Sequence, residues 1–186
     1  MKIEFNKIHT VSNYISFIRL FLAIPIFYFV SNIDKINGAR TYLISLYLFA
    51  YLTDILDGYF ARKLNEISEL GKIIDPFADK FLVIMIVIFY YNYDLIPQLY
   101  FWVIILRDLF IFTGGIFVSK KIGSVLPSNY LGKFTVLLIG IFLIIVTLGY
   151  KSSDLLYQIF YFITILLSIL SVIVYAVRGY KEINKA

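Results

Sequence analysis

The sequence predicts an all-α integral membrane protein whose six transmembrane helices form one bundle. Hydrophobic residues make up 61% of its 186 residues and charged residues only 16%. An ordinary soluble domain has about 45–50% apolar and about 25% charged residues. Apolar runs of about 20 residues, the length that crosses a bilayer, recur along the chain, and the connections between them are short. We therefore predict a single membrane domain over residues 1–186.

The predicted spans follow one another along the whole chain. They cover residues 13–31, 42–61, 73–92, 97–118, 131–149 and 155–177. The first span follows a mixed polar segment that has no small-residue cleavage pattern, so a removable signal peptide is not expected. In the fourth span, Gly114 and Gly115 favour close helix packing. A homodimer interface is one place where such packing occurs.

The basic residues predict the orientation of these spans. An even number of spans places both termini on one side. Eleven Lys or Arg residues then share the N-terminal side, and three lie opposite, at Lys35, Arg40 and Lys151. This bias predicts a cytoplasmic N-terminus in a bacterial inner membrane. The net charge of +5 is therefore attributed to the orientation signal and to attraction towards membrane lipids. No nucleic-acid partner is expected.

Four aspartates surround the cytoplasmic turn between the second and third spans. Asp54 and Asp57 close one span, and Asp75 and Asp79 open the next. Residues three or four apart share a helix face, so each pair points one way and the two pairs can face each other. A carboxylate at membrane depth costs about 2.5–3.5 kcal/mol, and four together would repel one another without cations.

The chemistry of these side chains favours hard metal ions. There are no cysteines, so disulfides and thiolate sites are excluded, whereas carboxylate oxygens suit Mg²⁺ or Mn²⁺. Two facing pairs of carboxylates fit two ions about 3.5–4 Å apart, an arrangement used for phosphoryl displacement. We predict such a metal site, open to the cytoplasm.

The residues between the acids predict room for a phosphorylated ligand. Gly58 and Ala61 lie on helical turns adjacent to Asp57, where small side chains leave space. A Gly inside a helix costs about 1 kcal/mol, so it needs a packing or ligand reason. Arg62 follows, and its planar guanidinium matches phosphate. Together these features are typical of a nucleotide-diphosphate site.

A fixed pattern runs through both acidic pairs. It reads Asp-x-x-Asp-Gly-x-x-Ala-Arg, eight residues, then Gly-x-x-x-Asp-x-x-x-Asp, and its positions are Asp54, Asp57, Gly58, Ala61, Arg62, Gly71, Asp75 and Asp79. This pattern resembles that of the CDP-alcohol phosphatidyltransferase family, including the length of the spacer. Family members typically have six spans. Their opening span often carries Asn, Ser or Thr, and Arg at three-residue spacing, as Asn13, Ser16 and Arg19 do here.

The resemblance implies transfer of a phosphatidyl group from CDP-diacylglycerol to an alcohol, with release of CMP. Carried onto this sequence, it makes Asp54, Asp57 and Asp75 metal ligands. Asp79 becomes both a metal ligand and the general base that accepts the hydroxyl proton. The cytidine diphosphate would be bound by residues of the same motif: Asp54, Asp57, Gly58, Ala61, Arg62 and Gly71.

Basic residues outside the motif point to the acceptor alcohol. A small anionic acceptor needs cations beyond the metals, and Arg107 inside the fourth span is the first candidate. Lys133, at the start of the fifth span, is the second, and Arg19 is the third. Family members that make phosphatidylglycerol phosphate resemble this arrangement, so the predicted acceptor is glycerol 3-phosphate. Asp108 after Arg107 also resembles cardiolipin synthases, which use phosphatidylglycerol, and an inositol phosphate stays open as well.

The four aspartates allow three other interpretations. They could form a structural ion-pair network with Arg62, Lys72 and Lys80. Membrane prenyltransferases also hold magnesium and diphosphate on Asp-rich helices, but they lack the Gly-x-x-Ala-Arg segment. A small cation carrier would need polar residues across the whole membrane, whereas the acids here lie at one end of their spans.

Overall fold

The structure, a computed structural model, describes residues 11–63, 71–122 and 129–184, without the side chains at 11–13, 16, 57–63 and 71–79. The described residues form helices joined by turns, and no strand occurs among them. The helices are α1 (Val11–Phe21), α2 (Ala23–Ser31), α3 (Ala39–Lys63), α4 (Gly71–Asn92), α5 (Gln98–Ile122), α6 (Tyr130–Thr147) and α7 (Leu155–Ile183).

The first predicted span is divided into two helices, because Pro25 interrupts it. Proline has no N–H, and its ring clashes with the carbonyl four residues earlier, which here belongs to Phe21. The chain turns at Leu22, whose N–H bonds back to two carbonyls of α1 at 3.1 and 3.2 Å. The prediction of one continuous span over 13–31 missed this break.

The other five predicted spans each coincide with one helix. α3 begins three residues before the predicted range 42–61 and ends two residues after it, and α4 begins two residues before the predicted range 73–92. α7 continues from 177 to Ile183. These helices are read correctly from sequence because long apolar runs bounded by polar turns are a local signal.

Several helices have the length and composition of membrane spans. α5, α6 and α7 are long and apolar enough to cross a bilayer, and shorter apolar stretches occupy Phe17–Ser31 and Lys80–Asn92 within the described residues. Large apolar side chains point outward, such as Phe162 and Leu166 on α7, which are 66% and 59% exposed. Extensive apolar surface of this kind is unfavourable in water and suits lipid. The chain is a membrane protein.

The helices group into two compact units, one ending at Tyr93 and the other beginning at Asp94. In the first unit, α1 and α2 each pack against α3 and α4. The phenolic oxygens of Tyr47 on α3 and Tyr90 on α4 lie 2.7 Å apart. The prediction of one domain over residues 1–186 stays a prediction.

In the second unit, α7 packs against both α5 and α6, and glycines allow the close approach to α5. A Cβ at Gly179 would lie 2.9 Å from Cγ2 of Val118, and one at Gly115 would lie 2.8 Å from the Tyr175 hydroxyl. Neither distance is tolerated without movement of the neighbour. The predicted close packing at Gly115 is confirmed, and its partner is α7 of the same chain.

The buried face of α7 is polar. Thr164 and Ser168 are fully buried and Ser171 is 1% exposed, at the spacings of three and four residues that place side chains on one helix face. Thr164 and Ser171 donate to carbonyls of their own helix, at 2.7 Å to Phe160 and 2.8 Å to Ser168. Small hydroxyl residues of this kind are typical of helix interfaces inside membranes.

The contact between Gly179 and Val118 predicts a stability difference between two glycine substitutions. Gly179→Leu should unfold more easily than Gly140→Leu, by about 1–3 kcal/mol, the usual cost of overpacking. Gly140 is the matched control, because a Cβ there meets nothing within 4 Å and both variants gain the same helix propensity. Thermal or denaturant unfolding of the detergent-solubilised protein would measure the difference. Equal stability of the two variants would contradict the packing argument.

Candidate functional site

The acidic motif lies on α3 and α4 of the first unit. Asp54 and Asp57 are near the C-terminal end of α3, and Asp75 and Asp79 are near the N-terminal end of α4. The side chain of Asp54 is described. The other motif side chains lie outside the described residues, and their predicted roles stay predictions: Asp57, Gly58, Ala61, Arg62, Gly71, Asp75 and Asp79.

The contact between Tyr47 and Tyr90 places the two halves of the motif at a similar depth. It joins the part of α3 remote from the connecting turn to the far end of α4, so the two helices run antiparallel. Asp57 is ten residues after Tyr47, and Asp79 is eleven residues before Tyr90. These separations correspond to about 15 Å and about 17 Å along the helix axes, at a rise of about 1.5 Å per residue.

Arg19 of α1 lies beside the first aspartate of the motif. Its guanidinium is 3.4 Å from the Asp54 carboxylate, and its side chain is 2% exposed. A buried arginine needs a compensating carboxylate, and α1 packs against α3, which brings the two charges together. The sequence did not reveal this pairing, because the partners are far apart along the chain. The predicted role of Arg19 in acceptor binding stays a prediction.

The Asp54 carboxylate fits a hard divalent ion. Its side chain is 47% exposed, and its contact to Arg19 uses Oδ1. Carboxylate oxygens that remain accessible are the donors that Mg²⁺ and Mn²⁺ prefer. The donor chemistry at this position therefore agrees with the predicted metal site.

Arg107 is the centre of a hydrogen-bonded cluster in the second unit, and it is 7% exposed. Nη1 donates to the carboxylate of Asp108, Nε donates to the Ser171 hydroxyl at 3.2 Å, and Nη2 donates to the Gly132 carbonyl at 3.3 Å. These partners lie on α5, α7 and α6, so one guanidinium joins three helices. The expectation that Arg107 needs a partner is confirmed, whereas its role in acceptor binding stays a prediction.

The N-terminus of α6 adjoins this cluster. Asn129 caps the helix by accepting a hydrogen bond from the Gly132 N–H at 2.6 Å. Its Nδ2 atom is buried and has no hydrogen-bond partner in the described part of the chain. Lys133 follows Gly132 and is exposed. A helix N-terminus attracts anions, so Arg107, Lys133 and α6 give this region a positive character.

Ser171 is a residue of this cluster that the sequence analysis did not single out. A signal for it exists in the polar residues of α7, because Thr164, Ser168, Ser171 and Tyr175 recur at intervals of three and four residues. That spacing within an apolar helix indicates a face turned towards other helices rather than towards lipid. It does not reveal which residue the face contacts.

Comparison with known proteins identifies the class of enzyme that combines these helices with this acidic motif. The sequence model of the CDP-alcohol phosphatidyltransferase family matches residues 9–176, which include the whole motif and Arg107. The chain belongs to the CDP-alcohol phosphatidyltransferase family. The resemblance predicted from the motif is confirmed, and this membership separates the chain from membrane prenyltransferases and cation carriers.

Individual relatives are similar over most of their length. A protein of Aquifex aeolicus (strain VF5) is 33% identical over 181 residues, covering 94% of this chain and 98% of the relative. One of Rickettsia bellii (strain RML369-C) is 32% identical over 84% of this chain and 83% of its own. One of Mycoplasma genitalium (strain ATCC 33530 / DSM 19775 / NCTC 10195 / G37) is 27% identical over 94% and 85%. Each is named CDP-diacylglycerol--glycerol-3-phosphate 3-phosphatidyltransferase.

The ion pair of Arg107 and Asp108 predicts that removing one of its charges strongly destabilises the protein. Asp108→Asn should destabilise the protein by about 3–5 kcal/mol, because it leaves a buried guanidinium without its counter-charge. The double variant Arg107→Met/Asp108→Leu should recover much of that loss. The control is Asp34→Asn, whose pair with Arg40 is exposed and should contribute less than about 1 kcal/mol. Unfolding experiments in detergent measure the stability of all three variants. A similar loss of stability in Asp108→Asn and Asp34→Asn would contradict the prediction.

Proposed function

We propose that this chain transfers the phosphatidyl group of CDP-diacylglycerol to glycerol 3-phosphate and releases CMP. The observation that carries the proposal is similarity along almost the whole chain to a relative named for that reaction, with 94% of this chain and 98% of the relative covered. Phosphatidylglycerol and inositol phosphates are the alternative acceptors within the same family chemistry.

Four carboxylates form the proposed metal site. Asp54, Asp57, Asp75 and Asp79 would hold two divalent ions, Mg²⁺ or Mn²⁺. The half-exposed Asp54 carboxylate and the similar depth of the two halves of the motif support this assignment. When bound, such ions neutralise a diphosphate and stabilise a leaving phosphate oxygen.

Asp79 is the proposed general base. Its carboxylate takes the proton of the acceptor hydroxyl while that oxygen forms a bond to the phosphorus that bears the lipid. The bond from this phosphorus to the CMP oxygen breaks, and CMP leaves with the electron pair. The remaining motif residues bind and orient the cytidine diphosphate, with Arg62 suited to its phosphates by its planar guanidinium; they are Gly58, Ala61, Arg62 and Gly71.

The phosphate of glycerol 3-phosphate would be bound by Arg107 and Lys133. The hydrogen bond from Arg107 to the Gly132 carbonyl supports this proposal, because it holds the guanidinium beside the N-terminus of α6, where Lys133 follows. Arg19 is the third proposed cation. Its contact with Asp54 supports a position next to the metal ligands.

All six predicted spans are proposed to cross a bacterial inner membrane. α3 and α4 contain 25 and 22 residues, and a helix of about 20 residues crosses the hydrocarbon core. The motif charges lie at one end of each of these two helices, as a site on one side of the membrane requires. The excess of basic residues on one side supports a cytoplasmic N-terminus and site.

The proposed reaction predicts CMP release that depends on both metal and acceptor. The purified protein with CDP-diacylglycerol and Mg²⁺ should release CMP when glycerol 3-phosphate is added. A chelator should abolish the release, and excess Mg²⁺ or Mn²⁺ should restore it. Release with phosphatidylglycerol or an inositol phosphate alone would keep the family chemistry and overturn the acceptor. Absence of release with every acceptor would overturn the proposed function.

The proposed roles of the motif residues predict that conservative substitutions cause large losses of catalytic activity. Asp79→Asn should lower kcat by at least about a hundredfold, the lower end of what general-base catalysis contributes. Asp57→Asn should cause a loss of about the same order, because it removes a charged oxygen ligand from the proposed metal site. Both variants should fold, because an amide replaces a carboxylate of the same size. Asp154→Asn, outside the motif, is the control and should keep full activity. Normal turnover in Asp57→Asn or Asp79→Asn would remove that residue from the site.

A further inference from the structure

The hydroxyl of Ser171 has a defined direction. It is buried, with 1% of the side chain exposed, and it donates its single proton to the Ser168 carbonyl at 2.8 Å. Arg107 Nε, which can only donate, lies 3.2 Å from the same oxygen. Ser171 is therefore a pure acceptor towards Arg107, because its proton is already committed to its own helix.

The Ser171 contact restricts the guanidinium plane of Arg107. Nε lies in the plane of the group together with both terminal nitrogens. The Nε bond to α7 and the Nη2 bond to the Gly132 carbonyl on α6 hold the plane from two helices. Each terminal nitrogen keeps a second N–H without a partner in the described part of the chain, and two N–H groups are what a bidentate contact with phosphate requires.

Different residues neutralise the charge of Arg107 and orient its guanidinium plane. Asp108 supplies the negative charge at Nη1, and it belongs to the same helix as Arg107. Ser171 carries no charge, so its loss would leave the ion pair in place and remove the hold that α7 has on the guanidinium plane. We propose that Ser171 is a positioning residue that fixes the guanidinium of Arg107 for the phosphate of the acceptor. This inference rests on the proposed function and extends it to α7.

Three substitutions on α7 test the inference through the kinetics of CMP release. Ser171→Ala should raise KM for glycerol 3-phosphate about tenfold, the usual order for a hydrogen bond to a charged group, and leave kcat and KM for CDP-diacylglycerol unchanged. Ser171→Thr restores a hydroxyl that can bond back to its own helix, and it should recover the unaltered KM.

The matched control is Ser168→Ala. Ser168 lies one turn away on α7 and is fully buried, and its hydroxyl has no hydrogen-bond partner in the described part of the chain. The same change in size at Ser168 should therefore leave KM for glycerol 3-phosphate unaltered. An equal rise in KM for both alanine variants would indicate a general packing effect and overturn the inference.

A second readout tests the contact without turnover. In ¹⁵N NMR spectra of the labelled protein in detergent, the Nε–H resonance of Arg107, assigned with Arg107→Lys, should shift in Ser171→Ala and stay in place in Ser168→Ala. An unchanged resonance in Ser171→Ala overturns the positioning role whatever the acceptor. If the unaltered protein releases no CMP with glycerol 3-phosphate, the proposed function fails and the acceptor part of the inference falls with it. The NMR result then still decides whether Ser171 orients Arg107.

Discussion

A charged side chain within an apolar helix needs a compensating partner, and much of this structure follows from that constraint. An arginine at the centre of a membrane helix costs about 2.5–3.5 kcal/mol on insertion scales. Among the described side chains, two arginines are buried, and each meets the constraint with a carboxylate of its own unit: Arg19 with Asp54, and Arg107 with Asp108. The first pair joins α1 to α3. The second, through two further hydrogen bonds, joins α5 to α6 and α7. The contacts that pair the charges therefore also hold the helices together.

The sequence predicted what depends on local order and missed what depends on contacts between helices. Helix positions were read correctly because apolar runs are local, and the family was identified because the motif has fixed spacing. The break at Pro25 was missed although the clash behind it is local. The contacts of Arg19 with Asp54 and of Arg107 with Ser171 bring together residues far apart along the chain, and periodicity carries no information about such pairs. The roles of all the motif residues, including Asp54, stay predictions.

The polar face of α7 combines close packing with hydrogen bonding at low cost. Glycine at 115 and 179 leaves room for Tyr175 and Val118 of the facing helix. Thr164 and Ser171 satisfy their own protons on α7, so a buried hydroxyl need not find a donor or acceptor on another helix. Each such oxygen still has lone pairs to offer. A helix of this composition can therefore contact apolar neighbours along most of its length and accept a hydrogen bond from an arginine at one point.

The proposed binding of an acceptor phosphate by Arg107 requires a buried guanidinium that is stable both with and without that phosphate. Without an acceptor, the buried guanidinium must be neutralised, which Asp108 does. A second carboxylate would add stability in that state but would also cancel the attraction for an incoming phosphate. The other two partners are instead neutral oxygens, a hydroxyl and a backbone carbonyl, which orient the group without lowering its charge further. One charged and two neutral partners thus give a buried guanidinium that is neutralised and held in one plane, as its proposed binding of a phosphate requires.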